Sequence, residues 1–272
     1  MLKQVVFLLF ILTSMVPAWA ETQKTDTYFS KMEGCFLLYN MKTGVLEKVM
    51  GEQRCKERFS PCSTFKVPLA VMAFDTGILK DKDQVLMWDG SNNEREVANH
   101  DHDAKTWMRD SIVWFSQRLT PMLGAGRLGK YLHVFHYGNQ DMSAGITQAW
   151  LVSPDIHGAA LKVSAYEQLE FMKGLWAGTF AVSPRAMQMT RDIMYLETSP
   201  LGFKLSGKTG SNYYKHDKKH RLGWFIAHID NGSREYIAVM NFSDLEPTDE
   251  VSPGGPKAKE LTKKILADAG LW

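Results

Sequence analysis

Apolar and polar positions recur along this chain with different periods, and the changes of period divide it. Residues 35–40 and 45–49 are apolar-rich runs flanking Met41-Lys42-Thr43-Gly44, which predicts a β-hairpin. An apolar run from Val67 to Phe74 follows Ser63 and meets Asp75-Thr76-Gly77, the pattern of a helix that starts at Ser63 and ends on a glycine. Pro68 lies inside that helix, where it would remove one ladder bond. Residues 79–105 are polar and rich in Asp, Asn and Lys, a loop region. From Thr106 the period turns helical through Trp107, Met108, Ile112, Val113, Phe115 and Leu119, with a stop at Thr120-Pro121. Further helices are predicted over about 122–135, 164–176 and 183–196. After Pro200 the pattern predicts strands over 203–209, 222–229 and 235–241, the last two joined by Asp230-Asn231-Gly232. A closing helix is expected over about 257–269.

Strands at both ends and helices between them predict an α+β fold. An antiparallel sheet would be built from N- and C-terminal segments (about 21–61 and 200–272), flanked by helices. A mostly helical lobe, about 62–199, would be inserted between them.

The first twenty residues stand apart. Lys3 precedes an apolar core from Val5 to Leu12, and Ala18-Trp19-Ala20 matches the small-residue pattern before a cleavage site. Residues 1–20 are therefore expected to be a signal peptide, too short in its apolar run to span a bilayer, and the mature chain to be secreted, into a periplasm. The formal charge of +2 falls to +1 without Lys3, which gives no electrostatic case for nucleic acid or an anionic membrane as partner. The basic run from Lys215 to Arg221 falls where a hairpin loop is expected and reads as solvated. Three cysteines in an exported chain allow one disulfide. Cys35–Cys55, which bracket the predicted hairpin, are the expected pair and Cys55–Cys62 the alternative. With the first pairing Cys62 is a small buried hydrophobe. No metal site is assigned: three cysteines without matching histidine spacing do not make a zinc site, and His100 to Asp103 reads as a loop leading to a helix cap.

The candidate chemistry begins at Ser63-Thr64-Phe65-Lys66. A serine is a weak nucleophile until a base takes its proton, and a lysine one helical turn away can do so only when uncharged. Apolar neighbours Phe65, Val67 and Leu69 could supply the desolvation. Three more short features follow in order: Ser111-Ile112-Val113, Tyr137-Gly138-Asn139 and Lys208-Thr209-Gly210, with Trp150-Leu151 before the last. S-x-x-K with a later K-T-G marks penicillin-recognising serine enzymes.

With these four motifs in this order, the chain resembles the class D serine β-lactamases, over essentially its whole mature length. Val113 in the third place of S-x-V separates it from penicillin-binding proteins, which usually carry asparagine there. No glutamate-bearing loop of the class A kind is found. The resemblance implies a β-lactam substrate, an acyl-enzyme on Ser63, and a Lys66 that reacts with carbon dioxide to become N-carboxylated; no other cofactor is implied. Trp150 would donate its indole N–H to the carbamate. Ser111 would pass a proton to the leaving nitrogen, assisted by Lys208. The backbone N–H groups of Ser63 and Ser211 would hold the oxyanion, Thr209 with Lys208 the substrate carboxylate, and Val113 and Leu151 would wall the carbamate. Tyr137 and Asn139 are expected among the substrate-binding residues. One departure is visible: residues 242–257 lack the arginine that many members use for the substrate carboxylate, leaving Lys257 and Thr209 as substitutes. The rival readings are a non-hydrolytic antibiotic-sensor domain, expected beside membrane-spanning segments, and a D,D-peptidase, against which Val113 argues. No oligomeric state follows from the sequence.

Overall fold

The structure, a computed structural model, describes residues 27–152, 160–215, 218–249 and 252–272. The expected signal peptide, and His216 and Asp217 of the basic run, lie outside these. A short unit ending at Ser30 is described only over 27–30, and the compact unit runs from Lys31 to Trp272.

Six strands form one sheet in the order β2-β1-β6-β5-β4-β3. They are β1 Met32–Asn40, β2 Val45–Met50, β3 Tyr195–Thr198, β4 Lys204–Tyr213, β5 Arg221–Asp230 and β6 Glu235–Asp244. Every pairing is antiparallel, and β1 meets β6 over its full length, Met32 opposite Asp244 and Asn40 opposite Tyr236. The two ends of the chain therefore build one sheet, as the pattern predicts. β5 and β6 are buried almost throughout, because helices cover the middle of the sheet.

Within the compact unit the described residues form eight α-helices: α1 Glu52–Lys56, α2 Lys66–Asp75, α3 Ala104–Asp110, α4 Val113–Leu123, α5 Ala125–Val134, α6 Ala165–Ala177, α7 Pro184–Ile193 and α8 Gly254–Asp268. α8 packs on β4, β5 and β6, and α6 on β1, β5 and β6. Asp103 caps α3 through Thr106, and Ser164 caps α6 reciprocally with Glu167. His100 to Asp103 thus does lead into a cap.

Four elements differ from the expected pattern. The helix at Ser63 opens as a 3-10 turn, Cys62–Phe65, and turns α-helical only at Lys66. Pro68 consequently sits in the first α-helical turn, where its missing N–H costs little. The helix predicted from Thr106 to Thr120 is two helices, broken at Ser111, which adopts φ 59° and ψ 45°, and α4 runs through Pro121 to Leu123. The predicted helix to Leu196 ends at Ile193, and Tyr195–Thr198 becomes the edge strand β3 by pairing with β4. The sheet segment therefore starts before residue 200. Finally α1 lies in a stretch for which no element is predicted; its Cys55 is bonded to Cys35 on β1, the expected disulfide, and Cys62 is free and buried.

Candidate active site

Ser63 sits in the 3-10 turn between the sheet and α2, one residue after Cys62, whose φ of 52° is a strained value for a residue with a side chain. The turn is held from several sides. Thr64 Oγ1 donates to Pro61 O at 2.6 Å and accepts from Gln168 Nε2 of α6 at 2.8 Å. Ser60 Oγ donates to Trp150 O at 2.6 Å, and the Trp224 indole on β5 donates to Ser60 O at 2.9 Å. β4 comes close to the turn because Gly210 has no side chain. A Cβ there would stand 2.9 Å from Pro61 O and 3.2 Å from Thr64 Cγ2.

Lys66 points back along its own turn, and its Nζ donates to Ser63 Oγ at 3.2 Å. The side chain is 1% exposed, and burial pushes its pKa well below that of an ordinary lysine; the charges of Lys208 and Arg95 push the same way. Lys208 on β4 is likewise buried, and its pKa is brought down to about 7, first by desolvation and then by Arg95, with Asp110 opposing. Its Nζ donates to Thr209 O at 3.1 Å and Thr209 Oγ1 at 3.4 Å. Cys62, by contrast, has its thiol pushed up to about 12 by burial and is no nucleophile at neutral pH.

A cleft of about 440 Å³ opens over this turn. It is lined by Ser63, Ser111, Val113, Leu151, Thr209 and Ser211, together with Arg95, Arg109, Asp110, Pro253 and Pro256. Six of the residues selected from the sequence therefore meet around one space, although they come from four separate stretches. The left-handed backbone of Ser111 is what turns the chain between α3 and α4 at the rim. Val113, 37% exposed, and Leu151 form apolar wall.

The edge of β4 supplies donors. Gly207 N–H bonds Met194 O, on the side of β4 away from β5. The β4–β5 register is regular from Lys204 to Tyr213, so the N–H groups of Thr209 and Ser211 point the same way. Trp150 is 1% exposed and stacks on Phe65 at 5.1 Å between ring centroids. Its indole N–H meets no acceptor among the described residues.

Two expected substrate contacts do not lie in this cleft. Tyr137 is fully buried, its hydroxyl donates to Gln168 Oε1 at 3.3 Å, and its ring packs on Phe65 and Phe171. Asn139 spans a gap, donating from Nδ2 to Ala160 O at 2.8 Å and accepting from Lys162 N at 2.8 Å. Both brace the connection beneath the site, and Gly138 between them allows it. Its φ is +56°, and a Cβ would fall 2.1 Å from Lys162 O. Lys257 is also absent from the lining, because Glu260 holds its Nζ at 3.0 Å. The residues that sequence reasoning passed over are Arg95, Arg109 and Asp110. Arg109-Asp110 directly precedes Ser111, a signal that was available; Arg95 lies in the polar loop and offered none.

A buried lysine–serine pair beneath a donor-lined strand edge defines a serine acyl-transfer site, and a family model for the penicillin binding protein transpeptidase domain matches residues 34–267. Beta-lactamase OXA-1 of Escherichia coli is 36% identical over 218 residues, 78% of this chain and 76% of that protein. The solved class D beta-lactamase BAT-2 superimposes with a TM-score of 0.80 at 32% identity, over 91% of this chain and 96% of that one. The C-terminal domain of the Bacillus licheniformis BlaR penicillin-receptor gives 0.81 at 27% identity, over 91% of this chain and 95% of that one. The chain belongs to the class D serine β-lactamases.

Proposed function

We propose that this protein is exported, with residues 1–20 as its leader, and hydrolyses penicillin-type β-lactams through an acyl-enzyme on Ser63. The observation that carries the reading is the 3.2 Å contact between Ser63 Oγ and a Lys66 Nζ that is buried and driven towards its neutral form. A neutral amine can react with carbon dioxide, and the resulting carbamate would supply Lys66 with a carboxylate base. The site suits that group: the Trp150 indole beside Phe65 has an N–H to offer an anion, Lys66 itself is buried, and Val113 and Leu151 give the cleft apolar wall.

Lys66 would take the Ser63 proton as the hydroxyl attacks the lactam carbonyl. The N–H groups of Ser63 and Ser211 would stabilise the oxyanion. Ser111, whose hydroxyl has no protein partner among the described residues, would deliver a proton to the leaving nitrogen, with Lys208 supplying positive potential when protonated. Lys66 would then activate water against the ester.

A second reading, acylation without turnover, is favoured by the likeness to the BlaR receptor domain. Steady-state hydrolysis of benzylpenicillin separates the two: repeated turnover lost in Ser63→Ala supports the hydrolase, and one equivalent consumed per protein supports the receptor-like behaviour.

A further inference from the structure

The cleft must hold its substrate's carboxylate without the arginine that residues 242–257 lack, and Lys257 is committed to Glu260 outside the lining. The cationic side chains that do line the cleft come from the loop before α3 and from α3 itself, Arg95 and Arg109. They differ in what they already bind. Arg109 places Nε and Nη2 on the two carboxylate oxygens of Asp110, at 2.9 and 2.6 Å. Arg95 donates once, from Nη2 to Asp110 O at 2.9 Å, and its Nε and Nη1 meet no acceptor among the described residues. That one bond ties the guanidinium to the rim while most of its donors stay unused.

Two hydroxyls line the same cleft from β4. Thr209 Oγ1 accepts from Lys208 Nζ and Ser211 Oγ accepts from Gly255 N at 2.8 Å, so each keeps its own proton to donate elsewhere. The buried lysines are poorer anchors. Lys208 is only partly charged near neutrality, and an ammonium lacks the two-pronged geometry of a guanidinium.

We propose that Arg95, with the hydroxyls of Thr209 and Ser211, forms an anion subsite that receives the carboxylate of the β-lactam. The assignment rests on the β-lactam reading above. Arg95 has a second effect at the same place: its charge helps to keep Lys66 and Lys208 unprotonated. Removing it raises both affinities for protons, so the acid limb of the activity profile moves to higher pH, which loss of a mere loop contact would not produce.

The test is the second-order rate of Ser63 acylation, read by intact-protein mass, for benzylpenicillin and for its methyl ester. Arg95→Gln is expected to lower the acid-to-ester rate ratio roughly 10- to 100-fold, the range of a lost charge-assisted pair. Arg95→Lys should recover part of it. An unchanged ratio, or an equal loss on both compounds, overturns the subsite. Acylation without turnover in the unaltered protein would remove the hydrolase reading but leave this ratio measurable. Failure of the unaltered protein to acylate at all overturns both.

Discussion

Lys66 Nζ lies 3.2 Å from Ser63 Oγ, and the charges that act on it most strongly, Lys208 and Arg95, are both positive. Burial and like charge together disfavour its ammonium form, which is what a base needs. Lys66→Ala is expected to lower kcat for penicillin roughly 10²- to 10⁴-fold, the usual contribution of a positioned base. Lys66→Arg should fare no better, because a guanidinium keeps its proton. Stopped-flow acylation and steady-state rates on both variants check this.

Lys208 makes a prediction about stability with a definite sign. Its pKa is about 7 in the folded chain against an ordinary 10.5, so between those values the unfolded chain holds a proton that the native one has released. Stability from this residue therefore rises with pH across that window, and the burial cost is full below pH 7. Lys208→Met should raise Tm by several degrees at pH 6–7, at roughly 2–4 °C per kcal/mol for a chain of this size, and by progressively less towards pH 10. Its penicillin hydrolysis should fall. Thermal melts across pH decide it; a gain that is the same at every pH would mean that Lys208 stays charged.

Tyr137 distinguishes bracing from binding. With its hydroxyl on Gln168 and its ring fully buried, Tyr137→Phe should cost about 1 kcal/mol of stability, one modest hydrogen bond, and leave KM for penicillin unchanged. A KM increase without loss of stability would return Tyr137 to the substrate-contacting set.

The Cys35–Cys55 bridge closes a loop with a sequence separation of 20, fastening α1 to β1. Replacing both residues by alanine should cost about 3 kcal/mol by the loop-entropy relation. Calorimetry under oxidising conditions should then show a Tm lower by about 6–12 °C. Free Cys62, with its pKa near 12, should resist alkylation in the native protein at pH 7.

How far the residues alone reveal such a site depends on what holds each one. Ser63 and Lys66 were legible because three residues along a helical turn fix their proximity, whereas Thr209 and Ser211 were legible only through the resemblance carried by Lys208-Thr209-Gly210, Ser211 lying beyond the predicted strand. The two-ended sheet was legible from alternating runs at the termini. The break at Ser111 was not, since a left-handed serine carries no compositional mark. β3 was missed because Tyr195–Thr198 becomes a strand only through its neighbour β4. Tyr137 and Asn139 were misplaced for a related reason: motif membership put them near the nucleophile, but packing against Gln168 and Lys162 turns them beneath it. Arg95 reaches the cleft through the fold of a loop pinned by the bridge of Leu86 to His102, a tertiary fact without a sequence period.

The central claim is that Lys66 acts as a carboxylated base, and it is tested most directly by penicillin turnover in carbon dioxide-depleted buffer with bicarbonate then restored. The account predicts that hydrolysis decays on depletion, recovers with added bicarbonate, and shows no bicarbonate response in Lys66→Ala. Full, bicarbonate-independent turnover by the depleted protein would contradict it.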